Sequence, residues 1–172
     1  MKVSIVIPVR KIGQYIFDAM PHYSNQTFKD FEIIIISEAE ETVNFPKTRI
    51  IKVGRVPPAE KRNVGVKNAR GEFIAFIDDD AYPENNWLEQ SLKNFSNKEV
   101  VAMGGPNLVP KEGTFFQNVS NYTYQLNPGR ASIRYRRAKR QFVEEWPTCN
   151  FILRKKDFLK AGGFKKDCWW SE

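Results

Sequence analysis

Four consecutive isoleucines lie at the centre of the segment Phe31–Ser37. A strand that is apolar at every position buries both of its faces, which is typical of the interior of a parallel sheet. Two further apolar segments, Val3–Pro8 and Phe73–Ile77, have the same character, and segments with helical spacing lie at 12–26 and 59–69. Strands that alternate with helices predict an α/β fold, with a Rossmann-like, mostly parallel sheet flanked by helices on both faces.

Three consecutive aspartates, at positions 78–80, directly follow the predicted strand Phe73–Ile77. Carboxylates at the end of an apolar strand are costly to bury without a partner, and three neighbours also repel one another. Asp78 and Asp80 are two residues apart, so an extended backbone would direct both side chains to one side. Mg²⁺ or Mn²⁺ would relieve the repulsion, because these ions prefer carboxylate and phosphate oxygens. The residues alone are equally compatible with a solvated acidic turn.

The ends of the predicted strands indicate where a ligand binds. In open α/β sheets, ligands lie beyond the carboxyl ends of the parallel strands. Pro8 ends the first strand, Ser37 and Glu38 follow the second, and the triple aspartate follows a third. We therefore expect one cleft to collect all three strand ends.

Length and composition limit the possible classes of protein. The chain has 172 residues, which suffice for one domain with a hydrophobic core, and no stretch approaches the roughly 20 apolar residues that span a bilayer. It has one histidine, His22, and two cysteines without a C-x-x-C pair, which argues against a Cys/His zinc site and against catalysis by a histidine base. The net charge of +7 favours an anionic partner, such as a nucleotide, a lipid phosphate, a membrane surface or a nucleic acid.

The pattern changes after Pro110. Residues 111–147 contain few aliphatic side chains but many aromatic ones, and residues 130–140 include six cations among eleven positions. We expect a long excursion over the cleft rather than a separate domain. Its cations have three possible roles: binding the phosphates of a lipid-linked acceptor or an anionic membrane surface, closing over a donor diphosphate, or remaining in solvent.

Several segments, in this order along the chain, resemble the family 2 glycosyltransferases of GT-A fold. The matching segments are Val3–Pro8, Phe31–Ser37, 61–71, 76–80, Asn150–Arg154, 162–164 and 169–172. Residues 76–80 resemble the DxD element, and 169–172 resemble the approach to the catalytic acidic pair. The resemblance covers essentially the whole chain and implies a single GT-A domain. Residues 1–110 would form its nucleotide-sugar-binding half and 111–172 its acceptor-side half.

The resemblance implies a nucleotide-diphosphate sugar as the donor and Mg²⁺ or Mn²⁺ as the cofactor. It implies that Asp78 faces the ribose, that Asp80 holds the metal together with Asp78, and that Asp79 lies in the donor site. The remaining donor-site candidates are Pro8, Val9, Arg10, Glu38, Lys61 and Arg62. Glu38 stands where the family usually has an aspartate that contacts the base. Taken without the resemblance, Lys61 and Arg62 are more typical of a solvated helix face.

The resemblance also implies inversion at the anomeric carbon, with a carboxylate as the general base. The acceptor-side candidates are Asn150 and Trp170, and Glu172 lies next to the expected base. Because the acidic pair would begin at Glu172, we expect the chain to be a fragment whose continuation supplies the base and a C-terminal helix or membrane segment. The acceptor would be a glycan or a lipid-linked molecule, at the cytoplasmic face of a membrane.

Two other functions remain open from the residues. A sugar-phosphate nucleotidyltransferase has a related fold, but the segment 8–13 lacks the glycine-rich phosphate loop of that class. A nucleic-acid or anionic-surface binding module could use the cations at 130–140 with Tyr135 and Phe142. That function does not explain three carboxylates at 78–80, which repel phosphate.

Overall fold

The computed structural model describes residues 1–110, 113–126, 130–143 and 145–165, and the side chains of 130–132 lie outside the description. It contains six strands: β1 Val3–Pro8, β2 Phe31–Ser37, β3 Thr48–Lys52, β4 Phe73–Ile77, β5 Ala102–Gly104 and β6 Asn150–Arg154. The helices are α1 Gln14–Ser24, α2 Pro58–Asn68, α3 Trp87–Asn94, α4 Phe115–Leu126 and α5 Lys155–Lys160, with a 3₁₀ segment at Arg130–Tyr135. Within the described residues, no helix is long and apolar enough to cross a bilayer.

The strands form one sheet in the order β3-β2-β1-β4-β6-β5. Strand β1 pairs in parallel with β2 and β4, and β2 pairs in parallel with β3. Only β6 runs antiparallel to its neighbours, β4 and β5. The predicted mostly parallel sheet is therefore confirmed, and the antiparallel strand is the one that returns from the excursion.

The isoleucine run of β2 is buried on both faces, as predicted. Ile33 and Ile35 join the core cluster under α1 and α3, whereas Ile34 and Ile36 join the cluster under α2 and α5. Helix α2 lies very close to β1, because a Cβ built on Gly65 would be 2.3 Å from a methyl carbon of Val6. The two covered faces leave the ends of the strands as the place for a site.

The excursion 111–147 is not a structureless loop, since it contains the three-turn helix α4. The proline and glutamate at 83–84 are typical of a first helical turn and predict a helix from Pro83, but helix α3 begins at Trp87. The carbonyl of Asn85 accepts from the Thr27 amide at 2.7 Å, and the carbonyl of Glu84 accepts from the Gln26 side chain at 2.7 Å. These contacts join 84–85 to the end of α1 instead of to a helix.

A buried carboxylate connects the strands at the edge opposite the predicted cleft. Glu32 accepts hydrogen bonds from Ser4 Oγ at 2.7 Å, from the Arg70 amide at 2.7 Å and from Arg49 Nη2 at 2.9 Å. Burial by itself favours the protonated acid, but the hydrogen bonds from Ser4, Arg70 and Arg49 outweigh it and hold the pKa of Glu32 below its ordinary value of 4.5. The carboxylate therefore stabilises the fold in its charged form.

Replacing Glu32 with glutamine is expected to lower the free energy of unfolding at pH 7 by about 2–3 kcal/mol, because charge-assisted hydrogen bonds are lost. A pKa that is lower in the folded state gives stability that is complete above the unfolded pKa and is lost as pH falls through the folded pKa. The difference in the free energy of unfolding between wild type and Glu32→Gln should therefore become smaller below about pH 4.5. Urea unfolding from pH 7 to pH 3 measures it.

The matched control for this experiment is Glu40→Gln. Glu40 pairs with Lys52 on the surface and is highly exposed, so its replacement should change stability little at any pH. A Glu32→Gln deficit that stays constant down to pH 3 would show that the charge of Glu32 contributes nothing to folding.

Candidate donor-binding site

The carboxyl ends of β1, β2 and β4 meet at one edge of the sheet, as the sequence predicts. The Glu38 amide donates to the Arg10 carbonyl at 3.1 Å, which joins the loop after β2 to the loop after β1. Near the start of α2, Lys61 reaches both loops and Arg62 reaches Asp78 after β4. Of the predicted donor residues, those in the described edge are Pro8, Val9, Arg10, Glu38, Lys61, Arg62, Asp78, Asp79 and Asp80.

Lys61 joins the first two strand ends from within the protein. Its ammonium donates to the Val9 carbonyl at 2.8 Å and to Glu38 Oε1 at 2.7 Å. The Lys61 side chain is buried, while Glu38 retains some exposure. A buried cation between a carbonyl and a carboxylate fixes both loops, because separating it from either partner would leave charge or dipole unsatisfied.

Arg62 makes the corresponding connection to the third strand end. Its Nη2 donates to Asp78 Oδ1 at 2.9 Å, and its side chain is almost fully buried. The interpretation of Lys61 and Arg62 as a solvated helix face is therefore wrong, since both side chains are buried against acidic partners of the cleft. Within the described residues, Arg62 Nε and Nη1 have no hydrogen-bond acceptor.

The triple aspartate forms a turn rather than an extended segment. The Ala81 amide donates to the Asp78 carbonyl at 3.2 Å, so the alternation assumed for Asp78 and Asp80 does not apply. Asp78 and Asp79 are half-buried, whereas Asp80 is exposed. Burial, followed by the charges of Asp80 and Asp78, raises the pKa of Asp79, and Lys61 only partly opposes this. The turn thus carries more negative charge than its protein neighbours neutralise.

These residues fit a divalent cation that is shared with a ligand. The described residues hold no group of three or more His, Cys, Asp or Glu side chains that could bind a metal ion alone. Mg²⁺ and Mn²⁺ are commonly held by one or two carboxylates and by substrate phosphates, with water completing the shell. An exposed Asp80 and a partly exposed Asp78 offer that donor set. The pKa of Asp79 is raised mainly by burial and further by the charges of Asp80 and Asp78, and a bound cation would relieve the part due to charge.

Asn150, which the sequence predicts for the acceptor side, lies opposite Ile77 in the β4–β6 pairing. Its Oδ1 accepts from Trp87 Nε1 at 2.9 Å, and its Nδ2 donates to the Pro106 carbonyl at 3.1 Å. The amide thus already has a structural role, which leaves one N–H of the amide for a ligand. The other two predicted residues of this side, Trp170 and Glu172, lie outside the described residues.

Cys149, next to Asn150, is a partly buried free thiol. The pKa of Cys149 is raised, first by burial and then by the negative charge of Asp78, so the group is a neutral thiol near pH 7. Its sulfur accepts from Asn107 Nδ2 at 2.7 Å. It therefore supports the acceptor-side loop and does not offer a nucleophile.

Sequence reasoning missed Glu41. Its Oε1 accepts from the Ile12 amide at 2.8 Å and from Ser37 Oγ at 2.9 Å, so it holds the loop after β1 against the end of β2. No motif indicates this residue, because its partners are a main-chain amide and a serine that come from two other parts of the chain. An acidic residue in a polar loop is ordinarily solvated, which is why the pattern gave no signal.

Sequence comparison finds the same family along most of the chain. The family model described as "Glycosyl transferase family 2" matches residues 4–158. An uncharacterized glycosyltransferase of Rickettsia felis is 35% identical over 136 residues, which are 73% of this chain and 23% of that protein. One from Haemophilus influenzae is 28% identical over 114 residues, or 60% of this chain and 46% of that protein. The chain thus spans less than half the length of these relatives.

Structure comparison finds the same fold. S. aureus TarS 1–349 in complex with UDP superposes with a TM-score of 0.70 at 16% identity, over 99% of this chain and 52% of that one. The mannosyltransferase PcManGT from Pyrobaculum calidifontis, in complex with GDP-Man and Mn²⁺, superposes with a TM-score of 0.66 at 16% identity. That superposition covers 96% of this chain and 48% of the mannosyltransferase. At this identity the likeness establishes the fold, and the α/β GT-A architecture predicted from the sequence is confirmed.

Proposed function

Because this chain belongs to glycosyl transferase family 2, we propose that it transfers a sugar from a nucleotide-diphosphate donor to an acceptor hydroxyl, with inversion and with help from Mg²⁺ or Mn²⁺. The observation that carries the proposal is the arrangement of Lys61 and Arg62, which hold Glu38 and Asp78 at one edge of the sheet. The solved neighbours hold UDP, UDP-GlcNAc, or GDP-Man with Mn²⁺, which supports a nucleotide donor.

The chain's own residues define what each part of the donor would meet. The loop Pro8–Arg10 and Glu38 would line the base and the ribose, and Asp78 would accept from a ribose hydroxyl. Arg62 fixes the orientation of the Asp78 carboxylate through the 2.9 Å charge-assisted hydrogen bond. Lys61 does the same for Glu38. Both cations are buried, so they act on the donor through these carboxylates rather than by direct contact.

Asp80, with Asp78, would hold the divalent cation on the diphosphate. When bound, the cation supplies neutralisation of the charge that develops on the leaving diphosphate. The protein's contribution is the turn at 78–81, which brings Asp78 and Asp80 to the same edge of the sheet. A carboxylate adjacent to Glu172 would take the proton from the acceptor hydroxyl as its oxygen attacks the anomeric carbon.

We propose a glycan or a lipid-linked molecule as the acceptor, with the enzyme peripheral to the cytoplasmic face of a membrane. Support comes from Asn150, which lies beside the end of β4, and from the cationic segment that follows α4. Trp170 would stack on an acceptor sugar ring, as aromatic side chains commonly do.

The donor site is tested by calorimetric titration of UDP, GDP and ADP into the chain, with and without Mn²⁺. We expect UDP or GDP to bind with a Kd between about 1 μM and 1 mM, in the range of typical substrate constants, and only when the metal is present. The preferred nucleotide identifies the base. Absence of metal-dependent binding by all three nucleotides, in a chain that circular dichroism shows to be folded, would contradict the proposed donor site.

A further inference from the structure

Helix α4 presents its apolar side to solvent and its polar side to the protein. The apolar positions follow a spacing of four, three and four residues, so they form one stripe along the helix. The stripe consists of Phe115, Val119, Tyr122 and Leu126, which are between 46% and 80% exposed. Asn118, Asn121 and Gln125 lie along a neighbouring, polar side of the helix and are only partly exposed. This is the reverse of the usual orientation of an amphipathic helix in a soluble domain.

Packing holds the stripe in this orientation. Tyr124 stacks on Tyr135 with ring centroids 4.5 Å apart, and Gln125 Nε2 donates to the Tyr135 carbonyl at 3.1 Å. The Asn107 amide donates to the Arg134 carbonyl at 2.6 Å, which joins the following segment to the loop after β5. The polar side of α4 is therefore used for attachment, and the apolar side remains outward.

The segment that follows the 3₁₀ turn places cations beside this helix. Arg136, Arg137, Lys139 and Arg140 are exposed, and Phe142 is almost completely exposed. In the described part of this segment, ion pairs join Arg134 to Glu145 and Arg137 to Glu84. Glu84 lies four residues after Asp80, so the pair with Arg137 keeps the cations near the donor edge of the sheet.

We propose that α4 and residues 133–143 form a docking face for an anionic lipid bilayer. The apolar stripe would enter the region between headgroups and acyl chains, and the cations would contact anionic headgroups. The docking face would be the surface through which the enzyme binds the membrane, and this role rests on the proposed membrane-peripheral function. The geometry of the face does not depend on the reaction. The face lies next to the donor edge, so docking would bring a lipid-linked acceptor to the site.

The charge distribution favours a bilayer over the other occupants. In a symmetric pair of copies, the same cations of both copies would face each other and repel. A nucleic acid would be attracted by the cations and its bases can stack on Phe115 and Tyr122, but it would gain nothing from the exposed aliphatic side chains of Val119 and Leu126. A bilayer with anionic headgroups matches both features, because it offers negative charge at its surface and an apolar interior below it.

The experiment is sedimentation of the purified chain with vesicles, at 0.1 M salt. One set of vesicles is pure phosphatidylcholine, and the other contains phosphatidylglycerol as well. We expect the chain to sediment with the anionic vesicles at least 10-fold more tightly than with the neutral ones. Binding to neutral vesicles with equal strength, or to neither, would overturn the proposal.

Two sets of variants separate the charges from the stripe. Combined Arg136→Glu, Lys139→Glu and Arg140→Glu should weaken binding to anionic vesicles about 100-fold, at roughly fivefold for each lost cation. The control combines Lys67→Glu, Lys98→Glu and Lys160→Glu, which make the same change in net charge on exposed lysines elsewhere. Equal losses in the two triple variants would mean that net charge, and not this face, attracts the vesicles, and would overturn the proposal.

For the stripe, Leu126→Ser should weaken binding to anionic vesicles about 10-fold, whereas Leu159→Ser should not, although Leu159 is also an exposed leucine.

Two further measurements test the other occupants. Light scattering measures self-association of the chain, and competition with a single-stranded oligonucleotide measures nucleic-acid binding. Self-association that Leu126→Ser abolishes, or an oligonucleotide bound more tightly than anionic vesicles, would assign the face to another partner and overturn the proposal. Nucleotide titration of the same sample separates the two inferences: nucleotide binding without vesicle binding removes only the docking face.

Discussion

Replacing Asp80 with asparagine is expected to lower metal-dependent nucleotide binding by about 100-fold or more while the fold is retained. Asp80 is the most exposed carboxylate of the turn, and it is the one that the proposal places on the metal. Loss of a group that only orients a metal ligand typically costs 10–100-fold in affinity, so loss of a ligand should reach at least the upper end of that range. Calorimetric titration of the nucleotide, with and without Mn²⁺, measures it.

The stability of the Asp80→Asn variant provides a second readout. The charge of Asp80 contributes to the raised pKa of Asp79, so its removal relieves repulsion in the metal-free protein. We therefore expect the free energy of unfolding without metal to be unchanged or slightly higher. Asp18→Asn, an exposed carboxylate on α1, serves as the control and should change neither quantity. Nucleotide binding by Asp80→Asn that still depends on Mn²⁺ with wild-type affinity would remove the metal assignment.

Replacing Lys61 with methionine is expected to impair both stability and donor binding. Removing one partner of a fully buried pair typically costs about 3–5 kcal/mol, and we expect about 3 kcal/mol here because Glu38 is partly solvated. We also expect nucleotide binding to weaken at least about 10-fold, since the loops after β1 and β2 lose their common partner. Urea unfolding and calorimetry measure the two effects.

Two further variants distinguish a structural role of Lys61 from a role in binding. Lys67→Met, on the exposed side of the same helix, controls for the change of residue type. The double variant Lys61→Met with Glu38→Gln removes the charge that the single variant leaves without its cation, so part of the stability should return. Donor binding should not return, because neither loop regains its anchor. Full recovery of nucleotide binding in the double variant would show that the pair serves folding alone.

The strands that position the site could be predicted from the sequence because their signal is local. An apolar run such as Ile33–Ile36 cannot remain in water and cannot be covered on one face only, so it specifies an interior strand wherever it occurs. The same reasoning places the aspartates after β4 at the ligand edge. The limits of α3 could not be predicted in this way, because hydrogen bonds from Gln26 and Thr27, about 58 residues earlier in the chain, hold 84–85 outside the helix.

By itself, the sequence determined the class of fold, the positions of the main strands along the chain and the edge at which Pro8, Glu38 and the aspartates meet. Hydrophobic burial and strand direction follow from the pattern of residues. The tertiary structure alone decided that Lys61 and Arg62 are buried and that the stripe of α4 is exposed. The spacing of residues within a helix defines its sides, but which side is covered depends on what the rest of the chain packs against it. Helix α2 packs against the acidic edge of the sheet, whereas α4 packs against a polar surface.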